Sequence, residues 1–183
     1  MARILADRRW ILLTLDDLAE PGPEVEETGR TYSDNALLKA RAAMQASGLI
    51  AIADDAGLEI DALDGQPGVH SHRFLGADTP FPDKMTRILR LLDGVPDEGR
   101  GCRFRAAVAI CAPDGTEHIC TGVCEGMIGR EQRGAGGFGY DPIFALPALG
   151  RHMAELSAAE KDRISHRGQA LACARAVLES IAL

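Results

Sequence analysis

The stretch CRFRAAVAICAPDGTEHICTGVCEGMI, residues 102–128, consists of two apolar runs on either side of the dipeptide Asp114-Gly115. Asp-Gly between two such runs is a strong signal for a β-hairpin, because both residues tolerate the positive φ angles of a tight hairpin turn. The stretch therefore predicts an antiparallel pair of strands and a sheet to which this pair belongs.

Further strands and helices are predicted outward from this hairpin. Apolar runs of strand length occupy residues 10–15 and 49–53, and residues 58–63 alternate apolar and acidic side chains. Helical periodicity covers residues 31–47, residues 83–92 and about the last thirty residues, where Ser157 and Glu160 have the spacing of a capping box. This pattern predicts an α/β protein, a sheet flanked by helices, with one domain over residues 1–183.

The charge balance limits the partners of the protein. Lys and Arg number 20 against 27 Asp and Glu, a formal charge of -7, so no general basic field exists to bind a nucleic acid polymer. The apolar run at residues 10–15 is too short for a signal-peptide core, and no run reaches the length of a membrane span. We expect a cytoplasmic protein without membrane or nucleic acid partners, in which any anionic ligand needs locally placed cations or a metal ion.

The five cysteines are odd in number and scattered through apolar stretches. This distribution is typical of reduced thiols in a cytosolic protein rather than of a disulfide framework. We therefore expect the cysteines to be reduced core residues.

Candidate phosphate and metal ligands lie in the first third of the chain. Asn35 and Lys39 are four positions apart, so they share one face of the predicted helix. Asp54 and Asp55 end a predicted buried strand, where paired acids either hold Mg²⁺ or form a solvated turn. Glu27 and Lys39 favour the first reading, because carboxylates and a lysine are what a metal-bound phosphate requires.

A glycine-rich loop and a basic segment follow towards the C-terminus. The loop GGFGYDPIF, residues 136–144, places aromatic side chains and one acid among glycines. The segment EKDRISHRGQA, residues 160–170, supplies the local positive charge that an anionic ligand needs. Its alternative role is that of a basic helix end that complements the dipole of the preceding helix.

Four motifs together resemble one known family. They are EETGRTYSDNALLKA at residues 26–40, IADDAGLEIDALDGQPGVHSHR at residues 52–73, GGFGYDPIF at residues 136–144 and ELSAAEKDRISHRGQA at residues 155–170. In this order and spacing they resemble the inosine triphosphate pyrophosphatase family, the Ham1-type noncanonical purine nucleoside triphosphate pyrophosphatases, over about residues 1–180.

The resemblance implies an activity and an architecture. Members of this family are homodimeric, Mg²⁺-dependent enzymes that hydrolyse ITP, dITP and XTP to the monophosphate and pyrophosphate, which removes deaminated purines from the nucleotide pool. Their fold is an elongated mixed β-sheet flanked by helices, with two lobes and a central cleft. We expect the same activity, cofactor, partners and fold here.

The resemblance also implies roles for individual residues. Glu27 and Asp55 would bind the metal ion, Asp55 would activate the attacking water, and Lys39, helped by Asn35, would neutralise phosphate charge. Phe138 would stack on the purine and Asp141 would bind the base edge. The remaining residues implied in substrate binding are Ala56, Gly139, Tyr140, Lys161, His166 and Arg167, the last three as donors to the 6-keto oxygen.

Two departures from the family pattern are visible. Ala56 stands where the family has a serine, so one hydrogen bond to substrate, typically worth about 1 kcal/mol, is lost. The family also begins with a strand and a T-x-N-x-G-K phosphate loop, and Met1 of this sequence aligns inside the helix that follows them. An alternative function is therefore a catalytically impaired nucleotide-binding or dimerisation module.

Overall fold

The computed structural model describes residues 1–18, 22 and 24–181, so the last two residues of the predicted domain lie outside the described part. Its helices are α1 (Ala2–Leu5), α2 (Tyr32–Ser47), α3 (Phe81–Leu91), α4 (Ala158–Ile164) and α5 (His166–Ile181). Its strands are β1 (Ala51–Ile60), β2 (Gly101–Cys111), β3 (Glu117–Ile128), β4 (Phe144–Leu146) and β5 (Arg151–His152). None of the described helices has the length and apolar character needed to cross a membrane.

The five strands form one sheet in the order β1-β2-β3-β4-β5, flanked by helices, which confirms the predicted α/β class. The predicted hairpin joins β2 to β3: Ala112 N donates to Thr116 O at 2.9 Å, and Gly115 has a φ of 90°. Strands β3 and β4 pair antiparallel with Ile128 opposite Phe144. The hairpin signal was sufficient because the turn is local in sequence.

The chain divides into two compact units, which are described separately. The first unit comprises Met1–Asp55, Ala106–Gly122 and His166–Leu183, and the second comprises Ala56–Arg105 and Val123–Ser165. Two lobes were expected from the family resemblance, and the central cleft stays a prediction.

Small residues form the cluster between α2 and β2 in the core of the first unit. Ala36 and Ala40 on α2 are fully buried and belong to one cluster with Ala107, Ala109 and Cys111 of β2. The short side chains let the helix backbone lie close to the sheet. Helix α2 therefore packs at a short distance from β2, and this packing determines where its Asn35 and Lys39 side chains project.

Both ends of α2 are set by local signals. Thr31 is the N-cap, its hydroxyl accepts from Asp34 N at 3.1 Å, and the Asp34 carboxylate accepts in return from Thr31 N. Gly48 closes the helix with a φ of 67°, a left-handed conformation that glycine adopts without strain. The predicted helix over residues 31–47 is thus confirmed to within one residue.

The core of the second unit is larger and contains aromatic residues. Met85 and Ile88 of α3 pack in one cluster with Phe104 and Phe144, whose rings stack at a centroid distance of 4.3 Å. Arg100 is buried beside this core, and its guanidinium donates to three backbone carbonyls at 2.7 to 2.8 Å. These bonds fix the chain at the ends of α3 and β3, because three backbone carbonyls share one side chain as their donor.

Of the predicted strands, the one at residues 10–15 is absent. Those at residues 49–53 and 58–63 belong to one continuous strand, β1 (Ala51–Ile60), so Asp54 and Asp55 lie inside a strand and not at its end. Residues 10–14 have no secondary structure and pair with no strand in the described part of the chain, and residues 15–17 form a short 3₁₀ turn. Ile11 is 87% exposed. An apolar run of strand length becomes a strand only where a neighbouring backbone supplies hydrogen bonds, so composition alone gave the wrong result here.

The expectation of five reduced, buried cysteines is wrong for one pair. Cys120 on β3 and Cys173 on α5 form a disulfide, with Cα atoms 5.7 Å apart, and Cys173 is exposed. The two residues are 53 positions apart, so their proximity arises from the packing of α5 on β3 and not from any local spacing. Cys102, Cys111 and Cys124 are buried free thiols, as predicted.

The predicted capping box at the start of α4 is confirmed. The Ser157 hydroxyl accepts from Glu160 N at 3.3 Å, and the Glu160 carboxylate accepts from Ser157 N at 2.8 Å. A hydrogen bond from Arg151 at 2.7 Å, followed by those from Ser157, lowers the pKa of Glu160 from its ordinary 4.5 to about 2. This box holds the helix that carries Lys161.

The lowered pKa of Glu160 predicts a pH-dependent stability. Because its pKa in the folded protein lies below its ordinary value, its stabilising contribution is present above pH 4.5 and is lost as the pH falls towards about 2. We expect Glu160→Gln to lower the midpoint of urea unfolding at pH 7, and the difference from wild type to shrink below pH 4.5. Glu131→Gln, at an exposed loop position, is the control, and a difference independent of pH would contradict the assignment.

Candidate functional site

The first cluster of functional side chains joins three segments of the first unit. Lys39 on α2 donates to Glu27 Oε1 at 2.8 Å and to Asp55 Oδ1 at 3.1 Å. Glu27 comes from the loop before α2, and Asp55 comes from β1. We call Glu27, Asn35, Lys39 and Asp55 the carboxylate–lysine cluster. All four were predicted site residues, and the structure brings them together.

Burial and charge oppose each other in this cluster. Burial raises the pKa of the Asp55 carboxyl above its ordinary value, although the Lys39 ammonium and the Asn35 amide act in the opposite direction. Burial would lower the pKa of Lys39, but the hydrogen bond that Lys39 donates to Glu27 and the charge of Asp55 outweigh it, so the net pKa is raised. Lys39 therefore carries a full positive charge at neutral pH, next to a carboxylate whose basicity is increased.

Asn35 fixes the orientation of Asp55. Its fully buried amide donates to Asp55 Oδ2 at 3.2 Å and accepts from Gly29 N at 2.8 Å. A side chain at Gly29 would place its Cβ only 2.5 Å from Asn35 Oδ1. The absence of a side chain at Gly29 therefore permits the hydrogen bond from Gly29 N to Asn35 Oδ1, which orients the amide. The two oxygens of Asp55 each accept from one donor, Oδ1 from Lys39 and Oδ2 from Asn35.

The donor set of this cluster fits Mg²⁺. The carboxylates of Glu27 and Asp55 converge, and in this structure both accept from the ammonium of Lys39. Mg²⁺ takes oxygen ligands and commonly binds through one or two carboxylates, water and substrate phosphates. No group of three or more His, Cys, Asp or Glu residues that could hold a metal occurs in the described part of the chain. A two-carboxylate site that is completed by substrate oxygens agrees with both observations.

A second ion pair lies beside this cluster in the same unit. Arg167, in the first turn of α5, donates to Asp54 Oδ2 at 2.7 Å. Successive side chains of a strand point to opposite faces, so Asp54 and Asp55 reach different partners. His166, at the start of α5, is buried. The sequence analysis named Asp54 only as one of two paired acids, and its partner Arg167 was not foreseen.

The second cluster belongs to the second unit and centres on Asp141. This carboxylate is 1% exposed, its Oδ2 accepts from Phe138 N at 2.8 Å, and the same oxygen pairs with the Lys161 ammonium. Lys161 Nζ also lies 4.2 Å from the centroid of the Phe138 ring, in a cation–π contact. The ring itself is 57% exposed. We call Phe138, Asp141 and Lys161 the aromatic cluster.

Tyr140 anchors the loop that carries this cluster. It is buried, its hydroxyl donates to Ser71 O at 2.8 Å, and its ring packs edge-on against Phe81 at 5.2 Å. Burial raises the pKa of this hydroxyl, so it remains a donor at any ordinary pH. Gly139 has a φ of 63° and lies against the same Phe81 ring. The two neighbours of Tyr140 are therefore held at fixed positions.

A further anchor follows directly after Asp141. The carbonyl of Pro142 accepts from Arg133 N at 2.9 Å and is bonded to His152 Nδ1 at 2.6 Å. His152 is buried, and its own backbone N–H donates to Glu155 at 2.6 Å. Sequence reasoning missed His152, since nothing in its neighbourhood indicates that it lies against the loop. Ala56, the remaining predicted site residue, lies on β1, next to Asp55.

The chain is similar to known proteins along most of its length. A sequence model described as the Ham1 family matches residues 1–177. A relative from Desulforamulus reducens, named dITP/XTP pyrophosphatase, is 49% identical over 158 residues, which are 86% of this chain and 79% of the relative. A relative of the same name from Geobacillus kaustophilus is 49% identical over 170 residues, 93% of this chain and 83% of the relative.

Solved structures give the same result. A HAM1 protein from Coxiella burnetii is 44% identical, with a TM-score of 0.81 over 87% of this chain and 82% of that protein. The Ham1 protein of Staphylococcus aureus is 38% identical, with a TM-score of 0.82 over 88% of this chain and 83% of that protein. At these identities and TM-scores, the chain is similar to both proteins in sequence and in fold.

The geometry of the glycine-rich loop leads to a prediction about Gly137. It has a φ of 75°, and a Cβ there would lie 2.0 Å from Asp141 Oδ2. Gly137→Ala should therefore displace the buried carboxylate and lower the free energy of unfolding by about 3 kcal/mol, as measured by urea titration.

The matched control is Gly115→Ala at the hairpin turn. Gly115 has a φ of 90° but no atom within 4 Å of the added Cβ. This variant carries the backbone strain alone, about 1 to 2 kcal/mol. Equal losses in the two variants would show that Asp141 does not constrain the loop.

Proposed function

The chain belongs to the Ham1 family, and from this membership we propose that it hydrolyses noncanonical purine nucleoside triphosphates, ITP, dITP and XTP, to the monophosphate and pyrophosphate. The observation that carries the proposal is the carboxylate–lysine cluster, in which Glu27 and Asp55 converge on the ammonium of Lys39. Two carboxylates and one lysine are the groups that a metal-bound polyphosphate requires.

The phosphate chemistry is assigned to this cluster. Asp55, whose pKa is raised by burial and whose orientation is fixed by Asn35, accepts a proton from the water that attacks the α-phosphorus. The bond from that phosphorus to the bridging oxygen then breaks, and pyrophosphate leaves. Lys39 donates to phosphate oxygens and stabilises the charge that develops on them. No covalent enzyme intermediate is needed.

Glu27 and Asp55 would hold the metal ion, with Mg²⁺ as the proposed species because both ligands are carboxylate oxygens. When bound, Mg²⁺ supplies charge neutralisation on the phosphate oxygens and on the leaving pyrophosphate. Lys39 is bonded to both carboxylates, so binding of the substrate requires it to share its donors with phosphate.

The purine is assigned to the aromatic cluster. The exposed Phe138 ring offers a stacking surface, a contact worth about 1 to 3 kcal/mol per base. A lysine ammonium has three N–H donors. Lys161 donates to Asp141, which keeps it beside the ring, and another of its donors would bond a keto oxygen. Adenine presents an amino donor where hypoxanthine and xanthine present the 6-keto oxygen, so a lysine donor disfavours adenine. His166 and Arg167 keep their predicted role as further donors.

We extend the proposal to the assembly and the compartment of the protein. A homodimer is proposed from the family resemblance. A cytoplasmic location is proposed because the substrates belong to the nucleotide pool.

The test is release of pyrophosphate by the purified chain from dITP, XTP, dATP and dGTP, with Mg²⁺ and with EDTA. We expect selective hydrolysis of dITP and XTP that depends on Mg²⁺. Selective binding of dITP without turnover would favour the alternative of an impaired nucleotide-binding module. Neither binding nor turnover would contradict both.

Substitutions separate the two clusters. Asp55→Asn should lower kcat for dITP about 100-fold or more, because it removes the general base.

Phe138→Ala should raise KM about tenfold, which corresponds to the lost stacking, with a smaller effect on kcat. Asp114→Asn, at the hairpin turn, is the control for both and should leave both constants unchanged. The assignment fails if Asp55→Asn retains full activity.

A further inference from the structure

The disulfide between Cys120 and Cys173 has no part in the proposed hydrolysis, yet it lies on the helix that carries two predicted site residues. Cys173 follows Arg167 on α5 by six positions, about 9 Å along the helix axis at 1.5 Å per residue. Arg167 forms the ion pair with Asp54, the neighbour of Asp55. The disulfide and the first turn of α5 therefore belong to one rigid segment.

Strand β3 contacts this helix at two points. Cys120 and Gly122 are two positions apart on β3, so they face the same side. A Cβ at Gly122 would lie 2.1 Å from the carbonyl oxygen of His166 and 2.9 Å from the backbone nitrogen of Ala170. The backbone of the first turn of α5 thus touches the strand directly at Gly122, and the disulfide ties the next turns to the same strand.

The other end of α5 is held by different contacts. Arg175 donates to Asp7 at 3.1 Å, and Arg9 pairs with Glu179 at 2.9 Å. These ion pairs join the C-terminal half of the helix to the N-terminal segment; the first is partly buried and the second is more exposed. The N-terminal half is held by the Arg167–Asp54 pair and by its packing against β3, to which the bond between Cys120 and Cys173 adds a covalent link.

The two cysteines differ in access. Cys173 is exposed, whereas Cys120 is 2% exposed. A small disulfide can reach the first and not the second. This is the arrangement of an attacking thiol and a resolving thiol, and the thiols of Cys102, Cys111 and Cys124 are buried and cannot compete.

We infer that Cys120 and Cys173 form a reversible thiol–disulfide site that exchanges with low-molecular-weight disulfides of the glutathione class, and that its oxidised state holds the first turn of α5 in its substrate-binding position. The Cys173 thiolate attacks one sulfur of the small disulfide and releases one small thiol. The Cys120 thiolate then attacks the Cys173 sulfur and releases the second thiol. Two electrons pass from the protein to the small disulfide, and the reverse steps consume two thiols.

The first experiment measures the bond itself. The full chain is equilibrated with glutathione at a series of reduced-to-oxidised ratios, alkylated, and mapped by mass spectrometry. We expect the Cys120–Cys173 bond to form and disappear reversibly, and Cys173→Ser, at an exposed position, to show no such change. Absence of the bond at every ratio overturns the inference, and so does a bond that glutathione cannot reduce in the folded protein.

The second experiment measures the first turn of α5. Hydrogen exchange of a peptide over residues 166–176 should accelerate in the reduced protein, while a peptide over residues 32–47 in α2 should not change. Faster exchange in the reduced wild type and in oxidant-treated Cys173→Ser supports the inference. Equal exchange in both redox states overturns it.

The catalytic consequence rests on the proposed function and is measured separately. Reduction should raise KM for dITP about fivefold and leave kcat within about twofold, and Cys173→Ser should behave like the reduced protein in either buffer. If neither state hydrolyses dITP, the proposed function fails while the thiol and exchange results still decide the redox site. If hydrolysis occurs with one KM in both states, the link between the disulfide and the substrate position is overturned.

Discussion

The first unit is organised by one constraint: the ammonium of Lys39 is shared by two carboxylates from separate segments of the chain. Glu27 and Asp55 lie within 2.8 and 3.1 Å of the same nitrogen. Without that cation the two acids would repel each other in a partly buried site. The caps of α2 and its alanine face against β2 both serve to keep Lys39 at this point, because a shift of the helix would separate three charges.

The second unit uses the same principle with different chemistry. Asp141 is almost fully buried, and its charge is balanced by Lys161 and by the backbone N–H of Phe138. A buried carboxylate that lost either partner would be strongly destabilising. The resulting pair holds a cation under an exposed aromatic ring. In each unit the interaction that stabilises the site also provides the positive group that a nucleotide can use.

How far the sequence predicts this structure depends on the range of each interaction. The hairpin at Asp114-Gly115, the caps of α2 and the capping box of α4 were predictable, because their signals lie within a few residues. The Cys120–Cys173 bond and the Arg167–Asp54 pair join residues 53 and 113 positions apart, and no local pattern reports such contacts. The apolar residues 10–14 show the converse, since their composition favours a strand but no described strand pairs with them. The motifs predicted which residues gather in the carboxylate–lysine cluster, whereas the bonds that orient them, such as Gly29 to Asn35, required coordinates.

The adjacent acids of β1 connect these observations physically. Asp54 and Asp55 point to opposite faces of one extended strand, so Asp54 binds Arg167 on α5 while Asp55 binds Lys39 on α2. A strand changes its length very little, because its backbone is nearly fully extended. The spacing of the two carboxylates along the strand is therefore fixed, and so is the spacing of the Arg167 and Lys39 groups that they bind. Consecutive carboxylates thus join two helices that share no residue to one strand, α5 through Asp54 and α2 through Asp55.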